Sequence, residues 1–418
     1  MSNLIIDEAR LWDTLMETAA MGGLPNGGVA RLTLSHHDKQ VRDWFIAQCE
    51  ALGLSVTVDE VGNMFALRPG QNPEALPIAM GSHLDTQPTG GKFDGILGVL
   101  GGLEVLRTLH AAGYTTDAPL MLVNWTNEEG SRFSPAMLGS GVYAGVYSRD
   151  YADGRQDVEG ATFGAALEAI GYRGKVKAGD VPFSAMFELH IEQGPILEAE
   201  NKTIGVVQGV QGMRWYEVTL TGRAAHTGST PMSMRSNALL GAARVIEGVD
   251  QVAHSFAPLA VATVGFIDVA PNSNNVIPGQ AHFTIDMRHP DDAVLDRMEE
   301  QVYKIVADAA STIGLAADVK CISKTDAVAF DAQCIDAVRY AAGKAGLSSR
   351  DIISGAGHDA VHVAHMVPTT MIFVPSEGGL SHNEAEATAS HECAAGVQVL
   401  LDAVLEYDRR LAALHRTA

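Results

Sequence analysis

The chain has 418 residues, of which 46% are hydrophobic and 43 are glycines. It is longer than one ordinary hydrophobic core supports, so we expect a globular protein of two domains rather than a disordered or fibrous chain. The formal net charge of −21 argues against nucleic acid and anionic membranes as partners, because both attract basic surfaces.

The cysteines and the N-terminal segment indicate the cellular compartment. The four cysteines lie far apart without a C-x-x-C pair, which is typical of reduced, mostly buried thiols rather than of a disulfide framework. Residues 1–10 lack the uninterrupted apolar stretch of a signal peptide, and no segment approaches the roughly 18 apolar residues of a membrane span. The sequence therefore predicts a cytoplasmic protein.

The first part of the chain has the pattern of an α/β sheet. The first 75 residues read as mainly helical, and the helix at 41–52 has a plausible C-cap in Gly53. A glycine-rich apolar helix is predicted at 96–109, between two of the strands. The predicted strands are 54–58, 62–67, 76–80 and 120–125. The order strand, helix, strand predicts crossover connections.

The pattern changes near residue 210, where a second set of elements begins. These elements are a strand at 215–221, a helix at 231–246 with Pro231 in its first turn, strands at 261–267 and 280–288, and a helix at 293–310. They predict a small α+β domain inserted into the first one. We expect domain limits of 1–210, 211–327 and 328–418, with the strand at 369–374 completing the first sheet.

A polar loop with candidate metal ligands follows the strand at 76–80. His83, Asp85 and Asp94 lie within twelve residues of one another. A histidine can bind a metal through one ring nitrogen while a carboxylate fixes the other nitrogen, which is the role we assign to Asp85. Asp94 could then bridge two ions.

Three further segments supply candidates for the same chemistry. Glu128 and Glu129 follow a strand, where ligands of open α/β sheets bind, although a solvated acidic turn is the alternative. His190 lies in a strand-like run, where a structural core histidine is the alternative. His382 lies in a glycine-rich loop after the strand at 369–374, which favours binding over packing.

Together these residues predict a paired metal site. Three histidines, one aspartate and one glutamate can form two ligand sets that share Asp94. Nitrogen and carboxylate ligands without thiolate suit zinc, manganese or cobalt. A paired site of this kind activates water and polarises a carbonyl group.

These motifs resemble those of the dinuclear zinc amidohydrolases of the amidase, hydantoinase/carbamoylase type, relatives of aminoacylases and carboxypeptidases. The resemblance covers nearly the whole chain. It implies a two-domain α/β fold, with a metallopeptidase-like mixed-sheet catalytic domain and an inserted α+β dimerisation domain that acts as a lid. It also implies two divalent metal ions per subunit. One ion would be held by His83 and His190 and the other by Glu129 and His382, with Asp94 between them.

The resemblance implies the remaining site residues as well. Glu128 would be the general base, and His226, usually from the partner subunit of a homodimer, would polarise the scissile carbonyl. Asn275 and Arg288 would bind a substrate carboxylate, although a surface strand arginine is the alternative for Arg288. The residues that would complete the substrate site are Gln193 and Gly357.

The leading functional hypothesis is hydrolysis of N-carbamoyl-L-amino acids to amino acid, carbon dioxide and ammonia. The segment 87–94 resembles the carbamoylase and β-ureidopropionase branch more than the allantoate amidohydrolases. Hydrolysis of N-carbamoyl-β-alanine (the β-ureidopropionase reaction) is therefore the second choice, and hydrolysis of allantoate or ureidoglycine is the third. An aminoacylase or dipeptidase would use the same metal centre. A binding protein without catalytic activity is disfavoured, because Glu128 and all the ligand positions are filled.

Overall fold

The computed structural model describes residues 4–415, so the first three residues of the segment considered for a signal peptide lie outside the described residues. The chain divides into two compact units. Unit 1 consists of the residues up to Gly209 and from Phe330 onward, and unit 2 is Val210–Ala329. None of the helices in this part of the chain has the length and apolar composition of a membrane span. All four cysteines are free, and three of them are buried.

The first segment of unit 1 begins with two capped helices. Its elements are α1 (Glu8–Ala19), α2 (His36–Ala51), β1 (Ser55–Val58), β2 (Met64–Arg68), β3 (Ile78–His83), α3 (Ile96–Ala111), β4 (Leu120–Trp125), α4 (Leu138–Tyr143), α5 (Arg149–Asp153), α6 (Phe163–Ala169), β5 (Ala185–Ile191), α7 (Ile196–Ala199) and β6 (Ile204–Val210). The side chains of Asp7 and Ser35 accept N–H hydrogen bonds in the first turns of α1 and α2. The prediction that the first 75 residues are mainly helical was wrong, because turns and the hairpin of β1 and β2 occupy much of this segment.

Unit 2 alternates long strands with two long helices. Its elements are β7 (Gly212–Thr221), β8 (Ala225–His226), α8 (Ala238–Ser255), β9 (Val261–Ala270), β10 (Val276–Ile277), β11 (Gln280–His289), α9 (Asp292–Ile313), β12 (Ala316–Thr325) and β13 (Val328–Ala329). The prediction of a helix from Pro231 was wrong. Pro231 precedes a short 3-10 turn, and α8 begins later because the Asn237 side chain caps it by accepting from the N–H of Leu240.

The last segment returns to unit 1 and ends in a long helix. Its elements are α10 (Ala332–Lys344), β14 (Ser349–Ser354), α11 (Asp359–Val363), β15 (Thr369–Val374) and α12 (Ser390–His415). The strand β15 is buried throughout and has the limits that the sequence predicted.

The sheet of unit 1 is mixed, with a parallel centre. Its strand order is β1-β2-β4-β3-β5-β15-β6, and β14 also pairs with β6. The pairs β4–β3, β3–β5 and β5–β15 are parallel, whereas β1–β2, β2–β4 and β15–β6 are antiparallel. Helices α3 and α12 pack on the parallel strands, and β4 is buried along its whole length. The predicted α/β fold with crossover connections is confirmed.

The sheet of unit 2 is antiparallel and covered by helices on one face. Its strand order is β12-β7-β11-β9, and the long helices α8 and α9 contact it. Burial alternates along β11, so that Phe283, Ile285 and Met287 face the apolar core beneath the helices. This arrangement is the α+β fold that the sequence predicted for the insertion, with β12 as an additional strand.

Candidate metal centre

The parallel strands of unit 1 bring the candidate ligands to one edge of the sheet. His83 is the last residue of β3, and His190 is the penultimate residue of β5. Glu128 and Glu129 follow the end of β4, and His382 lies in the loop that follows β15. In the sheet, β3 lies between β4 and β5, so the strand order reverses direction at β3. Such a topological switch point is where open α/β sheets bind their ligands.

Asp94 lies at the centre of these residues and presents its two oxygens to different partners. Its Oδ1 is 3.2 Å from Nε2 of His190 and 3.6 Å from Nε2 of His83. Its Oδ2 is 3.3 Å from Nε2 of His382. The two oxygens of this one carboxylate can therefore belong to two neighbouring sets of ligands.

Two groups of potential metal ligands meet at Asp94. In each group the ligand atoms all lie within 4.8 Å of one another. The first group is fully buried and consists of His83, Asp94 and His190. The second consists of Asp94, Glu129 and His382, and it is more open because the His382 side chain is 51% exposed.

The two buried histidines are oriented so that Nε2 of each faces the centre. Nδ1 of His83 lies 2.9 Å from the main-chain oxygen of Asp85, and Nδ1 of His190 lies 2.8 Å from that of Ile191. A proton on each Nδ1 leaves a lone pair on Nε2. The buried Nε2 of His83 has no hydrogen-bond partner among the described residues, and such an atom is costly unless a cation binds it. These donors therefore fit zinc, manganese or cobalt.

Asp85 contributes to the centre in two ways. We predicted from the sequence that the carboxylate of Asp85 contacts His83, but the closer acceptor is the carbonyl oxygen of Asp85, while its Oδ1 lies 3.8 Å from Nδ1. The carboxylate instead accepts from the N–H groups of Glu128 and Glu129, each at 3.3 Å. Asp85 thus holds the turn that carries both glutamates.

The carboxylates of Glu128 and Glu129 approach different histidines of the centre. Oε2 of Glu128 is 3.5 Å from Nε2 of His83, and Oε2 of Glu129 is 3.4 Å from Nε2 of His382. Burial raises the pKa of Glu128 well above its usual range, against the attraction of His83, and the charge of Asp359 adds to the increase. Burial and the charge of Asp94 raise the pKa of Glu129 to about 7. Such carboxylates bind protons or cations readily.

The pKa of Asp94 is shifted downward, whereas those of the two glutamates are shifted upward. Although burial acts in the other direction, the nearby imidazole rings of His190, His382 and His83 hold the pKa of Asp94 well below its usual range. The hydrogen bond to Asp94 raises the pKa of His382 to about 9, with Glu129 contributing. Asp94 is therefore an anion at neutral pH, as a bridging ligand requires.

Two predicted substrate residues belong to unit 1. Nε2 of Gln193 donates to Oδ2 of Asp94 at 2.8 Å, and its buried Oε1 lacks a hydrogen-bond partner among the described residues. Gly357 lies between β14 and α11 and is close to the side chain of Met137, whose N–H donates to the carbonyl of Glu128. The structure brings Gln193 directly to Asp94, whereas Gly357 neighbours the segment after Glu128.

The other predicted substrate residues belong to unit 2. Nδ1 of His226 accepts from the N–H groups of Gly228 and Ser229 at 3.0 and 3.2 Å, so the neutral ring carries its proton on Nε2. The carbonyl of Asn275 accepts from the residue after His226, which joins the two loops. The guanidinium of Arg288 makes a two-point hydrogen bond with the carboxylate of Asp286.

Three residues that were not predicted from the sequence also hold the centre together. Buried Glu386 accepts from the N–H of Asp94, and Ser381 donates to Oδ2 of the same residue. Gly95 lies behind the ring of His83 with φ 67°. Gly95 could have been recognised as a glycine directly between a candidate ligand and an apolar helix, but the loop around Glu386 has no periodic pattern that reveals its contact.

Neighbouring polar residues have structural roles. Glu192, which alternates with His190 in the sequence, accepts from the N–H groups of Ile196 and Leu197 and so caps α7. The ring of His358 packs edge-on against His190, and burial holds its pKa well below the usual range. His358 is therefore a neutral packing partner of a candidate ligand.

Comparisons with known proteins agree with this geometry. Residues 79–406 match the peptidase family M20/M25/M40. A Rhizobium meliloti protein named N-carbamoyl-L-amino-acid amidohydrolase is 52% identical over 404 residues, which cover 97% of this chain and 97% of that protein. A Bacillus subtilis (strain 168) protein named allantoate amidohydrolase is 34% identical over 393 residues, which cover 92% of this chain and 94% of that protein.

A solved structure extends the agreement to the fold. The crystal structure of an amidase of the hydantoinase/carbamoylase family from Burkholderia multivorans matches with a TM-score of 0.95 and 52% identity, covering 97% of this chain and 99% of that chain. The resemblance stated from the sequence motifs is thereby confirmed. The chain belongs to the peptidase family M20/M25/M40, whose members are metal-dependent, and within it to the hydantoinase/carbamoylase family of amidases.

Proposed function

We propose that the protein hydrolyses the carbamoyl C–N bond of N-carbamoyl-L-amino acids, giving the amino acid, carbon dioxide and ammonia. The observation that carries this proposal is Asp94, whose two oxygens face two separate ligand groups, with the carboxylate of Glu128 beside them. The 52% identity to a protein named for this reaction supports the choice of substrate class.

The residues of unit 1 would hold two divalent ions, with zinc as the first choice and manganese or cobalt as alternatives. His83 and His190 would bind one ion, Glu129 and His382 the other, and Asp94 both. Such ions supply Lewis acidity, which activates a water molecule and polarises a carbonyl group. The orphaned Nε2 of His83 supports this assignment.

Glu128 would act as general base and then as general acid. Its buried carboxylate lies beside His83 and outside both ligand groups, so it remains available to accept a proton from the attacking water. It would then donate this proton to the leaving nitrogen, which departs as ammonia. Its raised pKa suits a group that must hold the proton between the two steps.

Residues of both units would bind the substrate. The unpaired Oε1 of Gln193 can accept an N–H of the substrate, and Gly357 would contribute its backbone. In unit 2, the Nε2–H of His226 is suited to donate to the scissile carbonyl oxygen. The residues that would bind the substrate carboxylate are Asn275 and Arg288, and that carboxylate would compete with Asp286 for the guanidinium.

We further propose that unit 1 is the catalytic domain and unit 2 a lid and dimerisation domain, and that His226 serves the site of the partner subunit in a homodimer. A cytoplasmic location agrees with the free cysteines. Sedimentation of the purified protein would measure the oligomeric state, and a monomer at catalytic concentrations would contradict the role of the partner.

A substrate panel tests the reaction. The metal-loaded enzyme would be assayed with N-carbamoyl-L-amino acids, N-carbamoyl-β-alanine, allantoate, an N-acetylamino acid and a dipeptide. We expect the fastest turnover, measured as ammonia release and free amino acid, with an N-carbamoyl-L-amino acid. Turnover of allantoate without any carbamoyl amino acid would assign the allantoate reaction instead, and preference for the acetyl or dipeptide substrate would assign aminoacylase or dipeptidase activity.

A further inference from the structure

Glu386 joins the two loops that carry ligands of the second group. It follows His382 in the loop before α12, and it is only 4% exposed. Its Oε1 accepts from the N–H groups of Phe93 and Asp94 at 3.2 and 3.1 Å, and its Oε2 lies 2.9 Å from Oγ of Ser381. One carboxylate therefore ties the Asp94 loop to the loop of His382.

Ser381 completes a second connection to the same aspartate. Its Oγ lies 3.0 Å from Oδ2 of Asp94, and Nε2 of Gln193 lies 3.2 Å from this Oγ. Asp94 is thus fixed at two points, by Glu386 at its main-chain N–H and by Ser381 at its carboxylate. These two contacts determine both the position of the backbone and the direction of the side chain.

The space around the Glu386 carboxylate is filled closely. A Cβ atom added to Gly91 would lie only 2.1 Å from its Oε1, so the loop backbone passes directly against the carboxylate. Neither group of potential ligands includes Glu386. A buried carboxylate is costly unless hydrogen bonds satisfy it, and here two N–H groups donate to one oxygen while Oγ of Ser381 lies against the other.

We propose that Glu386 is a positioning residue that sets the place of Asp94 between the two ligand groups and thereby determines the affinity for both ions. The inference rests on the proposed metal centre, but not on the identity of the substrate. Because Asp94 is common to both groups, a displacement of its loop changes two sites at once. Partners of metal ligands in this position typically change metal affinity by about 10- to 100-fold when they are removed.

The test is a titration of the metal-depleted full-length protein with Co²⁺, followed by the visible absorption of the bound ion. Glu386→Ala removes the hydrogen bonds of the two N–H groups and the contact with Ser381, so we expect an affinity lower by about 10- to 100-fold. Glu386→Gln keeps an oxygen for the two N–H groups and an amide nitrogen that donates to Ser381, so we expect it to retain the affinity and absorption spectrum of the wild type.

Asp408 is a matched control, because it binds the chain before the amino end of β4, whereas the centre lies at the carboxyl ends of the strands. It is 5% exposed and accepts from two consecutive N–H groups, those of Asp117 and Ala118, just before the amino end of β4. We expect Asp408→Ala to lower the unfolding temperature while it retains the wild-type affinity for Co²⁺. An equal loss of affinity in this variant would show a general effect of removing a buried carboxylate and would overturn the proposal.

A second variant keeps the test decisive if Glu386→Ala does not fold. Ser381→Ala removes the link between Glu386 and Oδ2 of Asp94 together with the contact of Gln193 Nε2, and we expect a weaker affinity for Co²⁺ in a folded protein. Wild-type affinity in a folded Glu386→Ala protein would overturn the proposal, and if that variant does not fold, wild-type affinity in Ser381→Ala would overturn it. Failure to hydrolyse carbamoyl substrates would contradict the proposed function and leave these metal affinities unaffected.

Discussion

At the scale of single residues, Gly95 shows how closely the backbone approaches a candidate ligand. A Cβ atom at this position would lie 2.2 Å from Nε2 and Cε1 of His83. The backbone also has φ 67°, which favours glycine. Two separate reasons therefore favour glycine between Asp94 and helix α3: the backbone conformation and the space that the imidazole of His83 occupies.

We predict that Gly95→Ala abolishes tight metal binding, because the ring of His83 must move away from Asp94. Gly113→Ala is the matched control, since Gly113 has a similar φ of 60° but no atom within 4 Å of the added Cβ. Both variants carry the conformational cost of roughly 1 kcal/mol or more. Metal titration and chemical denaturation separate the effects, and equal metal affinity in the two variants would contradict the steric explanation.

Glu128 is the residue whose removal should separate metal binding from turnover. We predict that Glu128→Ala retains both ions, because neither ligand group includes this side chain. Its turnover should fall by about 10²- to 10⁴-fold, the usual contribution of a general acid–base group. The measurements are metal content and the rate of ammonia release.

Glu50→Ala is the control for this variant, since Glu50 is an exposed residue of α2. We expect it to keep wild-type turnover. Activity of Glu128→Ala close to that of the wild type would refute the assignment of the base.

At the scale of elements, the glycines of α3 explain how this helix reaches the sheet. Cβ atoms added to Gly98 and Gly102 would lie 2.4 Å from the carbonyl oxygen of Leu189 and 2.5 Å from the side chain of Leu122. The helix can therefore lie directly against β4 and β5. Since α3 begins immediately after Asp94 and Gly95, this close packing also determines where the bridging aspartate emerges.

We predict opposite effects for alanine at two helix glycines. Gly98→Ala overpacks the contact with β5 and should destabilise the protein by about 1–3 kcal/mol. Gly343→Ala, near the end of α10, adds a Cβ with nothing within 4 Å and should stabilise it by up to about 1 kcal/mol through helix propensity. The free energy of unfolding in denaturant measures both, and destabilisation of similar size in both variants would contradict the packing argument.

The elements that the sequence predicted well are those whose burial gives a clear pattern. The limits of β4 and β15 were predicted to the residue, because apolar runs between polar turns mark fully buried strands. The strand β12 and the start of α8 were not. β12 is an edge strand with mostly exposed residues, and Pro231 resembles a helix start although the Asn237 cap lies further on.

At the scale of the whole molecule, the candidate centre combines residues from segments that are far apart in the chain. The sequence predicted its ligands because each one lies at or after the carboxyl end of a strand, and parallel strands bring these ends to one edge. The contacts of Glu386 and Ser381 with Asp94 span almost three hundred residues of sequence between two irregular loops. No local periodicity reports such contacts, so only the folded structure reveals them.

The same edge of the fold concentrates negative charge. The carboxylate side chains buried there include Asp85, Asp94, Glu128, Glu129, Glu188, Asp359 and Glu386. Burial raises the pKa of most of them, and two bound divalent cations would neutralise part of this charge. The stability of the whole molecule should therefore depend on metal and pH together.

We predict that protein stripped of metal by a chelator melts at lower temperatures as the pH rises from 6.5 to 9. Burial raises the folded-state pKa of Glu129 and Glu386 from 4.5 to about 7, and Asp94 raises that of His382 from 6.5 to about 9. In this range the folded state binds more protons than the unfolded state, so stability falls as the protons leave.

Metal ions should oppose this decline, because they replace the protons and bind more tightly as the ligands lose them. Thermal unfolding at several pH values, with chelator and after Mn²⁺ or Zn²⁺ is added back, measures the effect. We expect the difference in melting temperature between loaded and stripped protein to widen with pH. A constant difference across this range would mean that the buried carboxylates and His382 do not exchange protons for cations at this site.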